Sequence, residues 1–203
     1  MKNNPTIARM AGLALIVLIS ACSGNKKETA KTNDGSTYAT KADSSKTEIV
    51  AFENVDPSVK AQLNGFLADY FALNQALIED NQDGAKSAAK KLAGTVGQFD
   101  MSKLQGDQMG FYHVQLYKID ESLKGMAEST DIEETRLELS TLSEAMYALV
   151  KAYKPNESEL YYQYCPMAFN NKGGHWISKE KEISNPYFGS KMMRCGETVK
   201  ELN

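Results

Sequence analysis

The chain has 203 residues, of which 42% are apolar and 24% are charged, as in an ordinary globular protein. Its formal net charge is −3, and it becomes two charges more acidic if residues 1–21 are removed, because Lys2 and Arg9 are the only charged residues there. This balance argues against nucleic acid as a partner, since phosphate binding needs a clustered positive surface.

A lipoprotein signal peptide is predicted for residues 1–21. A positively charged start precedes the apolar run Met10–Ile19, which is too short to remain as a membrane-spanning helix. The run ends in Ile19-Ser20-Ala21-Cys22, which resembles the lipobox of bacterial lipoproteins. That resemblance implies lipidation of the Cys22 thiol, cleavage before Cys22 and a stable membrane anchor made of several acyl chains. The alternative is an ordinary secretory leader in which Cys22 falls by chance.

Residues 22–55 are predicted to form a lipid-anchored flexible linker. They are rich in Lys, Thr, Ser, Asp, Gly and Asn, a composition that cannot bury enough apolar surface to offset the entropy of ordering. The folded domain is then residues 56–203. Because no acidic cluster follows Cys22, we expect the anchor to face the periplasm of a cell envelope.

Four amphipathic helices are predicted in the first part of this domain. Asp56 and Pro57 suit the start of the first helix, Asp83-Gly84 begins the second, and Asp131 with Glu134 resembles a capping box at the fourth. Short connections between helices predict an all-α fold, an antiparallel four-helix bundle. The apolar residues that recur at helical spacing are Val59, Leu63, Phe66, Leu67, Tyr70, Phe71, Leu77 and Ile78; Ala85, Ala88, Ala89, Leu92 and Val96; Met109, Tyr112, Leu116, Ile119, Leu123 and Met126; and Ile132, Leu139, Leu142, Met146, Leu149 and Tyr153.

The C-terminal segment is predicted to be irregular, rich in aromatic residues, Cys and Met, and packed on the bundle. Turn signals interrupt it at residues 171–174, at Asn185-Pro186 and at Gly189, and only Glu159–Tyr164 has a strand-like composition. Its aromatic residues are too numerous for a disordered tail. They are Tyr161, Tyr162, Tyr164, Phe169, Trp176, Tyr187 and Phe188.

Two clusters of soft-ligand side chains lie in this segment. Thiolates and thioethers select Cu(I), and imidazole suits copper and zinc, so a Cu(I) site is one interpretation. A disulfide between the two cysteines is a second, because exported proteins meet oxidising conditions. Plain packing of Cys and Met in the core is a third. The candidate ligands are Cys165, Met167, His175, Met192, Met193 and Cys195, of which Cys165 and Cys195 could instead pair.

Segments of the same region resemble the signature of a domain of unknown function in envelope proteins. They are residues 165–168, 176–178, 183–189 and 192–196, with weaker similarity at Ala76–Asp80 and Arg136, so that the resemblance extends over about residues 57–200. That domain occurs in small lipoproteins and at the C-terminal end of periplasmic adaptor subunits of copper/silver efflux pumps. The resemblance favours the metal interpretation and implies a periplasmic efflux adaptor or another metal-handling protein as the partner.

No enzyme is predicted, because the chain has only two histidines and lacks the metalloprotease and serine-hydrolase motifs. His113 is interpreted as a residue that flanks the core face of the third helix. The leading hypothesis is an envelope lipoprotein that binds a soft heavy-metal ion, with Cu(I) favoured, for buffering or transfer to an efflux system. The alternative is a protein-interaction module without metal, in which Cys165 and Cys195 form a structural disulfide.

Overall fold

The structure is a computed structural model that describes residues 48–203. The predicted signal peptide, the predicted lipidation at Cys22 and most of the predicted linker therefore lie outside the described residues. Among residues 48–203, no helix is both long and apolar enough to cross a membrane.

The described chain is mostly helical and ends in a small antiparallel sheet of three strands. Helix α1 packs on α2, α2 on α3 and α3 on α4, while α4 also contacts the sheet. The buried apolar side chains of the helices and of the sheet belong to one continuous core. The elements are α1 Pro57–Ile78, α2 Gln82–Gly97, α3 Asp107–Glu128, α4 Ile132–Tyr153, β1 Leu160–Cys165, α5 Ala168–Asn171, β2 Gly174–Ser178 and β3 Glu197–Leu202, with single 3-10 turns at Met101–Lys103 and Gly189–Lys191.

The helix boundaries follow local capping chemistry. Asp56 accepts a hydrogen bond from the backbone N–H of Ser58 at 2.8 Å, and Asp131 accepts one from Glu134 at 2.9 Å, as predicted for the starts of α1 and α4. Helix α2 begins slightly earlier than predicted. The reason is that the Asn81 side chain accepts the backbone N–H of Gly84 at 2.9 Å, so Asn81 is the cap and α2 starts at Gln82.

The C-terminal segment is irregular only in part, because it contains a small three-stranded sheet, and the all-α prediction is wrong at this end of the chain. Strand β1 lies at the centre of the sheet, with β2 on one side and β3 on the other, both antiparallel to it. A sheet with one solvated face shows polar and apolar residues in alternation. Here Trp176 and Ile177, which point to opposite faces, are both buried, at 1% and 0% exposure. Burial on both faces removes the alternation that marks a strand in the sequence.

Helix α1 covers the outer edge of β2. The backbone N–H of Ile177 donates to the Tyr70 hydroxyl at 3.1 Å, and its carbonyl accepts from the Asn74 side chain at 3.2 Å. The Tyr70 hydroxyl also shares a hydrogen bond of 2.7 Å with the Ser143 hydroxyl of α4. Side chains of α1 thus satisfy the outward-facing backbone groups of Ile177, as a further strand would do at this position.

The described end of the predicted linker contacts the helices. The backbone N–H of Phe52 donates to the carbonyl of Ala152 at 2.8 Å. Its ring meets the ring of Phe111 edge to face, with centroids 5.8 Å apart, and lies 5.1 Å from the ring of Tyr153. An aromatic residue at this position therefore joins the chain just before α1 to the α3–α4 pair.

Candidate functional site

The structure brings the two cysteines of the C-terminal segment together. The Sγ atoms of Cys165 and Cys195 lie 3.0 Å apart, within hydrogen-bonding distance for thiols, and both cysteines are free. Cys165 is fully buried, whereas Cys195 is half-buried. The pair therefore has one inner and one accessible sulfur.

Cys165 is positioned by the sheet. It is the last residue of β1 and pairs with Gly174, the first residue of β2. A side chain at Gly174 would meet the ring of Tyr187, since an added Cβ would lie 2.8 Å from it. Glycine here leaves room for the Tyr187 ring against the first residue of β2, which pairs with the buried Cys165.

Cys195 is positioned by a turn that Asn185 holds in place. Its backbone N–H donates to the carbonyl of Met192 at 3.0 Å, and its carbonyl accepts from the Asn185 side chain at 2.7 Å. The following Gly196 has φ +139°, and a Cβ there would lie 2.8 Å from the carbonyl oxygen of Tyr164. The missing side chain allows Cys195 to approach the end of β1, and hence Cys165.

The sequence predicts Asn185 only as part of a turn, but the residue is fully buried and its hydrogen bonds connect several segments. Besides holding Cys195, its side-chain oxygen accepts from the backbone N–H of Tyr187 at 2.8 Å, and its own N–H donates to the carbonyl of Met193 at 3.0 Å. A polar side chain stays fully buried only when its hydrogen bonds are made. Asn185 is therefore a structural determinant of the thiol pair.

The contact between the two thiols changes the chemistry of Cys195. The hydrogen bond with Cys165 and burial raise the pKa of the Cys195 thiol to about 11, while the backbone N–H of Met167 acts in the opposite direction. The contact with Cys165 therefore favours the protonated form of the Cys195 thiol. Binding a metal ion or attacking a disulfide requires loss of that proton.

The distance between the sulfurs is intermediate between those of two chemical states. A disulfide needs its sulfurs at about 2.05 Å. Two thiolates on one tetrahedral ion, with metal–sulfur bonds of about 2.3 Å, lie about 3.8 Å apart. From the observed 3.0 Å, a shift of about 1 Å in one direction reaches the first state, and a similar shift in the other direction reaches the second.

The backbone N–H of Met167 contacts the Cys195 thiol, and Met167 is 45% exposed. It precedes a strained turn in which Phe169, Asn170 and Asn171 all have left-handed backbone angles, with φ of +53°, +57° and +66°. Asn tolerates this conformation, but for Phe169 it costs about 1–2 kcal/mol. The Phe169 ring packs edge to face on Tyr187, with centroids 5.1 Å apart, which helps to hold the turn.

Met192 and Met193 shape the turn more clearly than they offer ligands. Both are half-buried, and their carbonyls accept the hydrogen bonds from Cys195 and Asn185. The Met193 side chain lines a cavity together with Asp80, whereas Met167 lines a different cavity of about 490 Å³ against the first turn of α4. The structure therefore does not bring the predicted thioethers into one cavity.

His175 is not brought to the cysteines. It pairs with Tyr164 in the sheet, whereas Cys165 pairs with Gly174, so His175 and Cys165 point to opposite faces. The imidazole stacks on the ring of Tyr162, with centroids 4.9 Å apart and planes 8° from parallel. His113, interpreted as a flanking residue, is exposed on α3. Within residues 48–203, no cluster of three or more His, Cys, Asp or Glu residues could hold a metal ion.

A second polar centre, which the sequence did not reveal, joins α1, α4 and the C-terminal segment. Arg136 of α4 is only 2% exposed. Its guanidinium donates to the carbonyl of Pro186 at 2.9 Å, to the carbonyl of Leu77 at 2.7 Å and to the carboxylate of Asp80 at 2.7 Å. We call the contacts of Arg136 with these residues the arginine junction.

Asp80 and Gly189 complete the arginine junction. Asp80 follows α1 with φ +56° and also accepts from the backbone N–H of Ser190 at 3.0 Å. The hydrogen bond from Arg136, with those from Ser190, holds the pKa of the Asp80 carboxyl well below its usual range. Gly189 has φ +54°, and any side chain there would overlap Asp80 and Arg136. Only the approximate match of Asp80 and Arg136 to the family pattern could have indicated this role.

The fold and the site define a mostly helical domain that is closed by a small sheet and carries a pair of adjacent thiols. Residues 66–158 match the model of a family described as a protein of unknown function, DUF3347, which confirms the predicted domain of unknown function. The matched stretch begins within α1 and includes Arg136, but it ends before β1 and so before both cysteines. The comparisons with curated proteins and with solved structures found no match.

Proposed function

We propose that this protein is an envelope lipoprotein that binds a single soft heavy-metal ion, with Cu(I) favoured, through the thiols of Cys165 and Cys195. The observation that carries the proposal is the 3.0 Å separation of the two sulfurs. Thiolates are the ligands that select Cu(I). The two cysteines lie on the end of a strand and on a hydrogen-bonded turn. Folding therefore already brings the two ligands together, and binding an ion requires little further loss of conformational entropy.

Met167 is the best candidate for a further ligand. Its backbone N–H points to the Cys195 sulfur, and its thioether is 45% exposed. A neutral thioether at an accessible edge of the site would allow the ion to be exchanged with another soft-ligand protein. Buffering of the ion, or its transfer to an efflux system, is the role that these features favour.

The same proposal includes the arrangement of the helices, the membrane anchor and the partner protein. The four long helices would form an antiparallel four-helix bundle that carries the site. The lipid on Cys22 and the linker 22–55 would keep this domain at a membrane, facing the periplasm. The partner would be a periplasmic efflux adaptor or another metal-handling protein, and no catalytic role is proposed.

The alternative is a protein-interaction module without metal, stabilised by a Cys165–Cys195 disulfide. The same 3.0 Å separation favours it, because the sulfurs need to approach by only about 1 Å to form the bond. In this case the thioethers would be replaceable by Leu without consequence for binding partners.

The test uses the full chain with Cys22→Ser, so that only two thiols remain. The fully reduced protein is titrated with Cu(I) in the presence of a chromophoric Cu(I) chelator. We expect a single Cu(I) ion per chain, loss of binding in Cys165→Ser and in Cys195→Ser, and weaker binding in Met167→Leu.

His175→Phe is the matched control, because it replaces a candidate ligand on the opposite face of the sheet with another aromatic ring. It should bind Cu(I) as the parent does. The proposal is abandoned if the reduced chain does not compete with the chelator, or if the double variant Cys165→Ser/Cys195→Ser still does.

A further inference from the structure

The two sulfurs differ in access although they are in contact. Cys165 has no exposed surface and lies at the end of a paired strand. Cys195 is half-buried and belongs to a turn outside the sheet. In a reactive dithiol, an accessible sulfur makes the first contact with a substrate and an inner sulfur resolves the intermediate. The pair has this asymmetry.

We propose that Cys165 and Cys195 form a redox-active dithiol that exchanges with disulfides, and that its oxidised form cannot hold the metal ion. The second part rests on the proposed function, whereas the exchange reaction does not. The substrate class is a small-molecule or protein disulfide that can reach the Cys195 side of the sheet.

The exchange proceeds in two balanced steps. Cys195 loses its proton, and its thiolate attacks one sulfur of the substrate disulfide, whose other sulfur leaves and takes up a proton. Cys165 then loses its proton and attacks the Cys195 sulfur, so that the mixed disulfide breaks and the second substrate sulfur leaves as a thiol. Two protein thiols and one disulfide become one protein disulfide and two thiols, and the substrate gains the two electrons that the protein loses.

The backbone arrangement favours the second step. Cys195 is held by Asn185 and by the close packing of Gly196 on Tyr164, so its sulfur stays within 3.0 Å of Cys165. A mixed disulfide on Cys195 would therefore form next to the sulfur that resolves it. Once the bond has formed, neither sulfur is a thiolate, and both metal ligands are lost together.

The experiment uses the full chain with Cys22→Ser in buffers of varied ratio of reduced to oxidised glutathione. Samples are quenched with an alkylating reagent, and the mass of the intact protein is measured by mass spectrometry to count the alkylated thiols. We expect two alkylated thiols in reducing buffer and none in oxidising buffer, with full reversal when the ratio is restored. Cu(I) binding by the oxidised sample should fall to the level of Cys165→Ser/Cys195→Ser and return on reduction.

Two single variants test the assigned roles. Cys165→Ser should accumulate a glutathione adduct on Cys195, because the resolving sulfur is absent. Cys195→Ser should remain largely free of adduct, because Cys165 is buried. Equal adduct formation in both variants would contradict the proposal that the Cys195 sulfur is the one that attacks the substrate disulfide first.

The exchange proposal is overturned if both thiols stay reactive in excess oxidised glutathione, or if the parent stops at the glutathione adduct. The metal part is overturned if the oxidised chain binds Cu(I) as tightly as the reduced one. Failure of the reduced chain to bind Cu(I) would instead reject the proposed function, and the thiol count would still report the exchange reaction.

Discussion

The arginine junction joins the C-terminal segment to α1 and α4, whereas the thiol pair joins two parts of that segment, and the two contacts differ in their chemistry. Arg136 is a buried cation whose hydrogen bonds reach two carbonyls and the carboxylates of Asp80 and Glu133. The thiol pair is a single weak contact between neutral groups. A buried charge without partners costs several kcal/mol, whereas a lost thiol contact costs little.

Within the C-terminal segment, some residues hold the fold together and others are candidates for binding or redox chemistry. Asn185, Pro186 and Gly189 belong to the segment that resembles the envelope-protein signature, and each has a structural task in the turn or in the arginine junction. Cys165 is a buried member of the core, whereas the side chains of Cys195 and Met167 are partly exposed. Side chains with little structural use are the better candidates for a binding or redox role.

The largest expected effect is on the arginine junction. Arg136→Leu would remove the donor that the Asp80 carboxylate and the carbonyls of Leu77 and Pro186 share, leaving Asp80 with the hydrogen bonds from Ser190, and we expect a loss of about 3 kcal/mol in the free energy of unfolding. This lies at the lower end for a buried ion pair, because the Asp80 side chain is still 33% exposed. Urea unfolding of the reduced protein measures the change.

Arg194→Leu is the matched control, since the Arg194 side chain is 61% exposed and its ion pair with Glu182 is at the surface. It should change the free energy of unfolding by about 0.5 kcal/mol or less. If both variants lost the same stability, the arginine junction would not be the main polar attachment of the C-terminal segment.

A smaller effect is expected in the pH dependence of stability. Because the folded-state pKa of Asp80 lies below the ordinary value of 3.8, its carboxylate stabilises the fold fully above that value, and this stabilisation is lost as the pH falls below it. Between about pH 5 and about pH 2, the parent should therefore lose more stability than Asp80→Asn. Parallel urea unfolding of both proteins across this range measures the difference. Curves that fall in parallel would show that another carboxyl controls the acid response.

The smallest effect is expected at the thiol pair. In reducing buffer, Cys195→Ala should change the free energy of unfolding by about 0.5–1 kcal/mol, because only a half-buried sulfur and one weak contact are lost. The measurement is the urea midpoint beside that of Arg136→Leu. A loss as large as that of Arg136→Leu would make the thiol pair a structural element, and the division between the two regions would fail.

The sequence predicted the helical part well, for physical reasons that are local. Helical periodicity and capping side chains such as Asp56 and Asp131 act within a few residues, so they can be read along the chain. The sheet could not be read in this way. Trp176 and Ile177 are buried on opposite faces, and the outward-facing backbone groups of Ile177 are satisfied by α1 instead of by another strand.

The candidate site was predicted in part. The residue types indicated Cys165 and Cys195, and the fold brings them together. The sequence also predicts His175 as a ligand because it lies between the two cysteines, but strand register directs it to the opposite face. Asn185 and Arg136 were missed as organising residues because their partners are distant in the chain. Such contacts leave no local pattern.

The cover that α1 places over β2 also bears on the order in which the chain can fold. Asn74 and Ile177 are separated by 103 positions, and Tyr70 and Ile177 by 107. Contacts between such distant residues carry a large loop-closure cost and slow folding. The first helix cannot complete its polar contacts until Ile177 of β2 has been synthesised. We therefore expect Tyr70 and Asn74 to stay without these partners until most of the domain is present.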